Sequence, residues 1–270
     1  RSMQIKSVLR GSVVGMIKSL KRYRFLIWQL VARDIKVKYR RSFLGVAWSV
    51  LNPLLSMAVI SVVFSQFFRF DLPYYPIYLI TGQTIFSFFS EATNLAMFSI
   101  RENAALIRKV SMPVYIFPIS RVVSSLVNLG FSFVAILLVA LFMGFSFTPA
   151  VLFAPVTAAY MLVFAMGIGL ILAALSVYFR DIVHLYSVLL TLIIYLTPVF
   201  YPYSLIPEEF RFLINANPLT YFVAAFRSSL YDGVIPGLQI NLLCVAFSLS
   251  SLLVGLLLFG RLRRNFSLYL

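Results

Sequence analysis

From Val122 to Phe179 the chain runs for 58 residues without an Asp, Glu, Lys or Arg. A helix or sheet that faces water needs a polar outer side, so a run of this length excludes a water-soluble fold. It is long enough for two membrane spans of about 20 residues each. Gly144, Pro149 and Pro155 supply a turn between them. Four further stretches repeat the pattern. Residues 42–68, 182–207 and 233–260 are uncharged, and residues 74–100 carry one charge, Glu91. Unalternating apolar runs favour helices over a barrel, whose strands alternate over about 10 residues. Only 11% of the residues are charged, against about 25% in soluble domains.

The fold expected is therefore all-α and integral to a membrane, with six transmembrane helices and both termini on one side. The spans are expected near 42–68, 74–100, 113–144, 152–178, 182–203 and 236–260. Of the 23 Lys and Arg residues, 20 fall on the side of the termini and three (Arg69, Arg211 and Arg227) on the other. The positive-inside rule then places both termini in the cytoplasm. The same asymmetry accounts for most of the net charge of +15 without a nucleic-acid partner.

Residues 1–41 read as a basic amphipathic helix lying in the headgroup plane, ahead of a single transmembrane domain over 42–270. Leu20, Tyr23, Ile27, Trp28, Leu30, Val31 and Ile35 share one arc, opposite Lys18, Lys21, Arg22, Gln29, Arg33 and Lys36. This helix serves as a topology anchor, as a docking surface for a cytoplasmic partner, or as both. Arg1-Ser2 ahead of Met3 reads as a foreign extension, and no cleavable signal peptide is expected. Between the fifth and sixth spans, two short apolar segments flank Asn217-Pro218. Neither is long enough to cross. They read as a re-entrant hairpin over 204–231 or as two amphipathic helices on the outer surface.

Catalytic chemistry is hard to find. There is no phosphate-binding glycine loop and no Cys or His pair at metal spacing. His184 sits beside a span boundary, Cys244 lies in an apolar run, and the neighbours Glu208 and Glu209 point about 100° apart on a helix. Glu91 is the exception. A carboxylate about 13 Å into a span is costly unless paired or hydrated. It lines a hydrated path or bonds to a neighbouring helix, with Thr84, Ser87, Ser90 and Asn94 as polar company.

Four motifs in order then resemble a known family. RDIKVKYRRSFLGVAWSVLNPLL at 33–55, SVYFRD at 176–181, LTPVFYP at 196–202 and NPLTYFVAAFR at 217–227 are similar to the membrane subunits of ATP-binding-cassette exporters for cell-surface polysaccharides. That group handles lipid-linked O-antigen, capsule and wall teichoic acid, and the resemblance covers nearly the whole chain. It implies a bacterial cytoplasmic-membrane permease working as a homodimer with two copies of a separate ATPase subunit. That partner binds the ATP and Mg, and this chain has neither a cofactor nor a catalytic site. It further implies that the basic helix, with Arg33, Asp34 and Lys36, and the 101–112 loop, with Arg101, Glu102, Arg108 and Lys109, meet the ATPase. Asn217, Pro218 and Tyr221 belong to an outer gate, and spans one and five line the channel. Aromatic rings suit a sliding glycan, so Trp48, Phe86, Phe89, Tyr195 and Phe200, with Glu91, are the conduit candidates. Exporters of drugs or lipids share the architecture and stand as the alternative.

Overall fold

The structure is a computed structural model and describes residues 21–39, 45–64, 72–109, 112–263 and 266. Among these residues it is entirely helical. The helices are α1 (Arg24–Tyr39), α2 (Ala47–Val63), α3 (Tyr75–Glu102), α4 (Ala104–Lys109), α5 (Ile116–Met143), α6 (Ala154–Tyr178), α7 (Ile182–Leu196), α8 (Arg211–Ala216), α9 (Pro218–Leu230) and α10 (Leu238–Leu262). Three stretches are long and apolar enough to cross a membrane: Ile116–Met143, Pro149–Tyr178 and Leu238–Leu262. The helix α3 matches α5 at 28 residues. A stripe of Gln, Thr, Ser, Glu and Asn makes it more polar.

Local chemistry sets the boundaries. Gly144 ends α5 in the left-handed conformation, φ 67°, which a residue without Cβ adopts at no steric cost. Thr148 then caps the short 3₁₀ turn Pro149–Phe153, its Oγ1 accepting from the Ala150 amide. The helix α7 stops at Leu196, earlier than the 182–203 expected. Thr197 precedes Pro198 and is extended, ψ 133°, as a residue before proline prefers. The helix is left with 15 residues, about 22 Å long. The helix α2 covers the middle of the expected first span, and residues 42–44 and 65–71 lie outside the described residues.

The centre of the bundle is α3, packed on α5 and α6, with α10 against the far side of α6. Gly167 and Gly255 let the α6 and α10 backbones meet. A Cβ on Gly255 would overlap the Gly167 backbone, and one on Gly167 would overlap Ser251. Small residues permit this approach, and serine hydroxyls bridge it. Ser248 donates to the Tyr160 carbonyl at 2.7 Å and Ser251 to that of Phe164 at 3.0 Å.

The amphipathic arc of α1 is rotated from its expected position. Leu30 and Val31 are buried, and Leu30, Leu26 and Ile27 join a cluster with Ile116 and Phe117. Trp28 instead faces outward, 68% exposed, beside Phe25. The helix packs along α5, so protein rather than lipid receives its apolar side. The segment around Asn217 also differs from two helices lying on a surface. The helix α9 buries nine of its 13 residues against α3, α6 and α10.

Candidate functional site

A cavity of about 320 Å³ opens between α2, α3 and α5. Its wall on α3 is Ile80, Gln83, Thr84, Ser87 and Glu91, spaced three and four residues apart so that all share one helical face. The helix α5 adds Asn128 and Ser132, and α2 adds Trp48, Ser49, Asn52, Pro53 and Ser56. Lys38, in the last turn of α1, reaches in and donates to Glu91 Oε1 at 2.8 Å. Asn128 donates to the same oxygen. Glu91 thus lines a polar cavity and is bonded to two neighbouring helices, α1 and α5. Two further polar atoms, Gln83 Oε1 and Thr84 Oγ1, are buried with no hydrogen-bond partner among the described residues.

Of the conduit candidates, the cavity brings together Trp48 and Glu91 alone. Phe86 and Phe89 lie on the opposite side of α3, 7% and 3% exposed, with Phe89 stacked on Phe164 at 5.6 Å. Within one protomer they are core residues. Phe200 is buried and stacks on Phe64 at 5.7 Å. Tyr195 is exposed on α7, away from the cavity. The sequence alone does not name Lys38 as the partner of Glu91, because the two lie 53 positions apart. Asp34 and Lys38, spaced i, i+4, share one face of α1.

Asp34 belongs to a second cluster, one helical turn before Lys38. Arg121 of α5 meets the Asp34 carboxylate at 3.3 Å and also pairs with Glu102 at the end of α3. Arg33 bonds to Asp34 and to the side-chain Oδ1 of Asn103 at 3.3 Å. Asn103 in turn separates α3 from α4. The helix α1 is therefore fastened to the bundle by ion pairs at two levels. Of the residues expected to meet an ATPase, Asp34 and Glu102 are engaged within the chain. Lys36, Arg101, Arg108 and Lys109 are exposed.

A third assembly surrounds the turn after α7, and sequence reasoning missed its main member. Four consecutive carbonyls of this turn receive side-chain donors. Arg227 of α9 donates to Pro198 at 2.9 Å and Val199 at 3.1 Å, Tyr75 to Phe200 at 2.7 Å, and Tyr78 to Tyr201 at 3.0 Å. Arg227 also donates to the Tyr78 carbonyl and lies 3.5 Å above the Tyr78 ring, a cation–π contact. Gly82 makes room for it, since a Cβ there would overlap the guanidinium. Asn217 caps α9 through Leu219 and ties it to Thr197 at 2.8 Å, with Pro218 in the first turn. Tyr221 donates to the Asn215 carbonyl and stacks on Phe247. The signal for Arg227 was a lone arginine in an apolar segment.

Residues 25–231, which hold all three assemblies, match the ABC-2 type transporter family. The chain belongs to that family. Its relatives match over a larger share of the chain. An O-antigen export system permease protein of Myxococcus xanthus is 31% identical over 94% of this chain and 99% of its own length. A permease protein of the same description from Klebsiella pneumoniae is 29% identical over 90% and 93%. A polysialic acid transport protein of Escherichia coli is 24% identical over 85% and 90%.

The family match begins in α1 and ends just after α9. In this ABC-2 transporter α1 is thus part of the shared domain, in keeping with its ion pairs to α3 and α5. Among the described residues, no three His, Cys, Asp or Glu side chains approach closely enough to hold a metal ion.

Proposed function

We propose that this ABC-2 transporter is the membrane subunit of an ATP-driven exporter that moves a lipid-linked cell-surface polysaccharide across the bacterial cytoplasmic membrane. The observation that carries this reading is the end-to-end similarity to an O-antigen export permease, 31% over nearly the full length of both chains. A capsule-type relative, the polysialic acid transport protein, points to the same substrate class. These relatives lend no support to the drug or lipid alternative. Deleting the gene and analysing the surface glycan tests the proposal. Polymer should vanish from the surface and accumulate inside, whereas an unchanged surface would overturn it.

In this reading the helices α2, α3, α5, α6, α7 and α10 are six spans, the termini face the cytoplasm, and α8 and α9 form a re-entrant hairpin on the outer side. The distribution of Lys and Arg supports that orientation. The burial of α9 supports the hairpin, because non-spanning backbone at membrane depth needs protein around it. Two copies of the chain enclose the path. The helices α2 and α7 suit that interface, since they bury few or no residues in one copy. A cysteine at Ser204 or Asp232 should react with an impermeant thiol reagent in intact cells, and one at Arg261 should not. Labelling at Arg261 would invert the topology.

Two copies of a cytoplasmic ATPase supply ATP and Mg chemistry. With Glu102 held by Arg121, the contact surface is assigned to Lys36, Arg101, Arg108 and Lys109. Reversing Arg108 and Lys109 together should leave the chain in the membrane while ATPase co-purification falls. Full co-purification with normal export would remove this assignment.

A further inference from the structure

We infer that the cavity between α2, α3 and α5 is a saccharide-binding subsite lying within one protomer and selective for a neutral, hydroxyl-rich unit. The inference rests on the exporter reading above and adds a stationary site to the path it proposes.

Three observations point to this ligand. The first is unmet hydrogen bonding. Gln83 Oε1 and Thr84 Oγ1 are buried without partners among the described residues, and a buried polar group left unmet is destabilising. Gln83 Oε1 accepts, while the Thr84 hydroxyl both donates and accepts. A sugar hydroxyl also does both, so one ring can answer the pair. The second is charge. Lys38 and Glu91 stand 2.8 Å apart and cancel, so among the described residues the lining carries no spare cation. A pyrophosphate would have to displace the Glu91 carboxylate to reach Lys38, whereas a polyol displaces nothing. The third is shape. Trp48 lines the cavity and is 46% exposed, giving a flat apolar face against which a sugar ring can lie. The volume of about 320 Å³ is at the small end of ligand sites. It fits a short piece of a polymer rather than a coiled strand.

The chain has two tryptophans, which makes the test direct. In the full chain in lipid nanodiscs, Trp28→Phe leaves Trp48 as the sole reporter. The probes are neutral oligosaccharides from mild acid hydrolysis of the host strain's surface polymer, with inorganic pyrophosphate as the anionic comparison. The oligosaccharide should change Trp48 emission saturably, Gln83→Leu should weaken its binding at least tenfold, and pyrophosphate should do nothing. Ser87 is exposed at the cavity, so Ser87→Phe offers a second variant that blocks it without touching the core. It should abolish the response at an unchanged melting temperature. No saturable change with oligosaccharide, or an undiminished response in folded Ser87→Phe, would mean a hydration cavity only and would overturn the subsite. A saturable response to pyrophosphate that oligosaccharide does not share would also overturn it, in favour of a headgroup site. If Trp48 is silent while the same chain still sustains surface polymer in cells, the subsite falls and the exporter reading stands. If deletion leaves the surface polymer intact, the exporter reading itself falls.

Discussion

Arg121 and Arg227 both hold helices together, and they do it in opposite ways. Arg121 keeps 17% of its side chain exposed and meets two carboxylates, Asp34 and Glu102. Arg227 is 7% exposed and meets three backbone carbonyls and an aromatic ring. The Arg121–Glu102 pair lies near water, with Glu102 53% exposed, and such a pair contributes about 0–1 kcal/mol and weakens with salt. A buried guanidinium cannot leave its carbonyls without stranding either side, and a fork with fixed donor directions accepts only one arrangement. The Arg121 cluster is a joint and the Arg227 cluster is a lock.

The largest effect should come from Arg227→Leu. It orphans the Pro198 and Val199 carbonyls, each worth about 1–3 kcal/mol if left buried and unmet, while the Tyr78 carbonyl keeps its bond from Thr81. The melting temperature in detergent should collapse or the chain should fail to accumulate. Arg227→Lys should recover only part of this, because one ammonium cannot span the set. Wild-type melting in either variant would break the distinction between lock and joint.

The second effect should come from Gly82→Ala. Its Cβ would overlap the Arg227 guanidinium and sit 3.3 Å from the Val199 carbonyl oxygen. Overpacking of this kind costs about 1–3 kcal/mol. Measured with Arg227→Lys, the two losses should be less than additive, since both act on one contact. Strict additivity would show that Gly82 serves something other than room for Arg227.

The smallest change in stability should follow Glu102→Gln, within about 1 kcal/mol, because the Glu102 side chain is 53% exposed. ATP-driven export should nevertheless fall, and raising the ionic strength should mimic the variant in wild type. A melting loss as large as that of Arg227→Leu would make both clusters locks.

The sequence shows well what depends on composition. Each of the six apolar stretches contains a helix, and Asn217-Pro218 marks the start of α9 as its capping chemistry requires. It shows poorly what depends on which face meets which. Phe86 and Phe89 look like sugar-facing aromatics until α6 is placed against them. Trp28 looks buried by its arc until α5 fixes the rotation of α1. Lys38 and Glu91 are 53 positions apart, and no local period connects them. The turn at 197–201 is missed, because the expected fifth span runs through Pro198 to 203, and the donors to its carbonyls come from α3 and α9.

The contact of Gly167 with Gly255 has a consequence for how the chain is made. The helix α6 leaves the ribosome well before α10, with α7, α8 and α9 in between. Throughout that interval the narrow slot beside Gly167 has no protein to fill it, and lipid tails must occupy it. When α10 arrives, a fit of backbone on backbone leaves no room for those tails, so docking expels them together and completes in one step. A nascent chain stalled before Leu238 therefore presents to the bilayer a groove that the finished subunit hides.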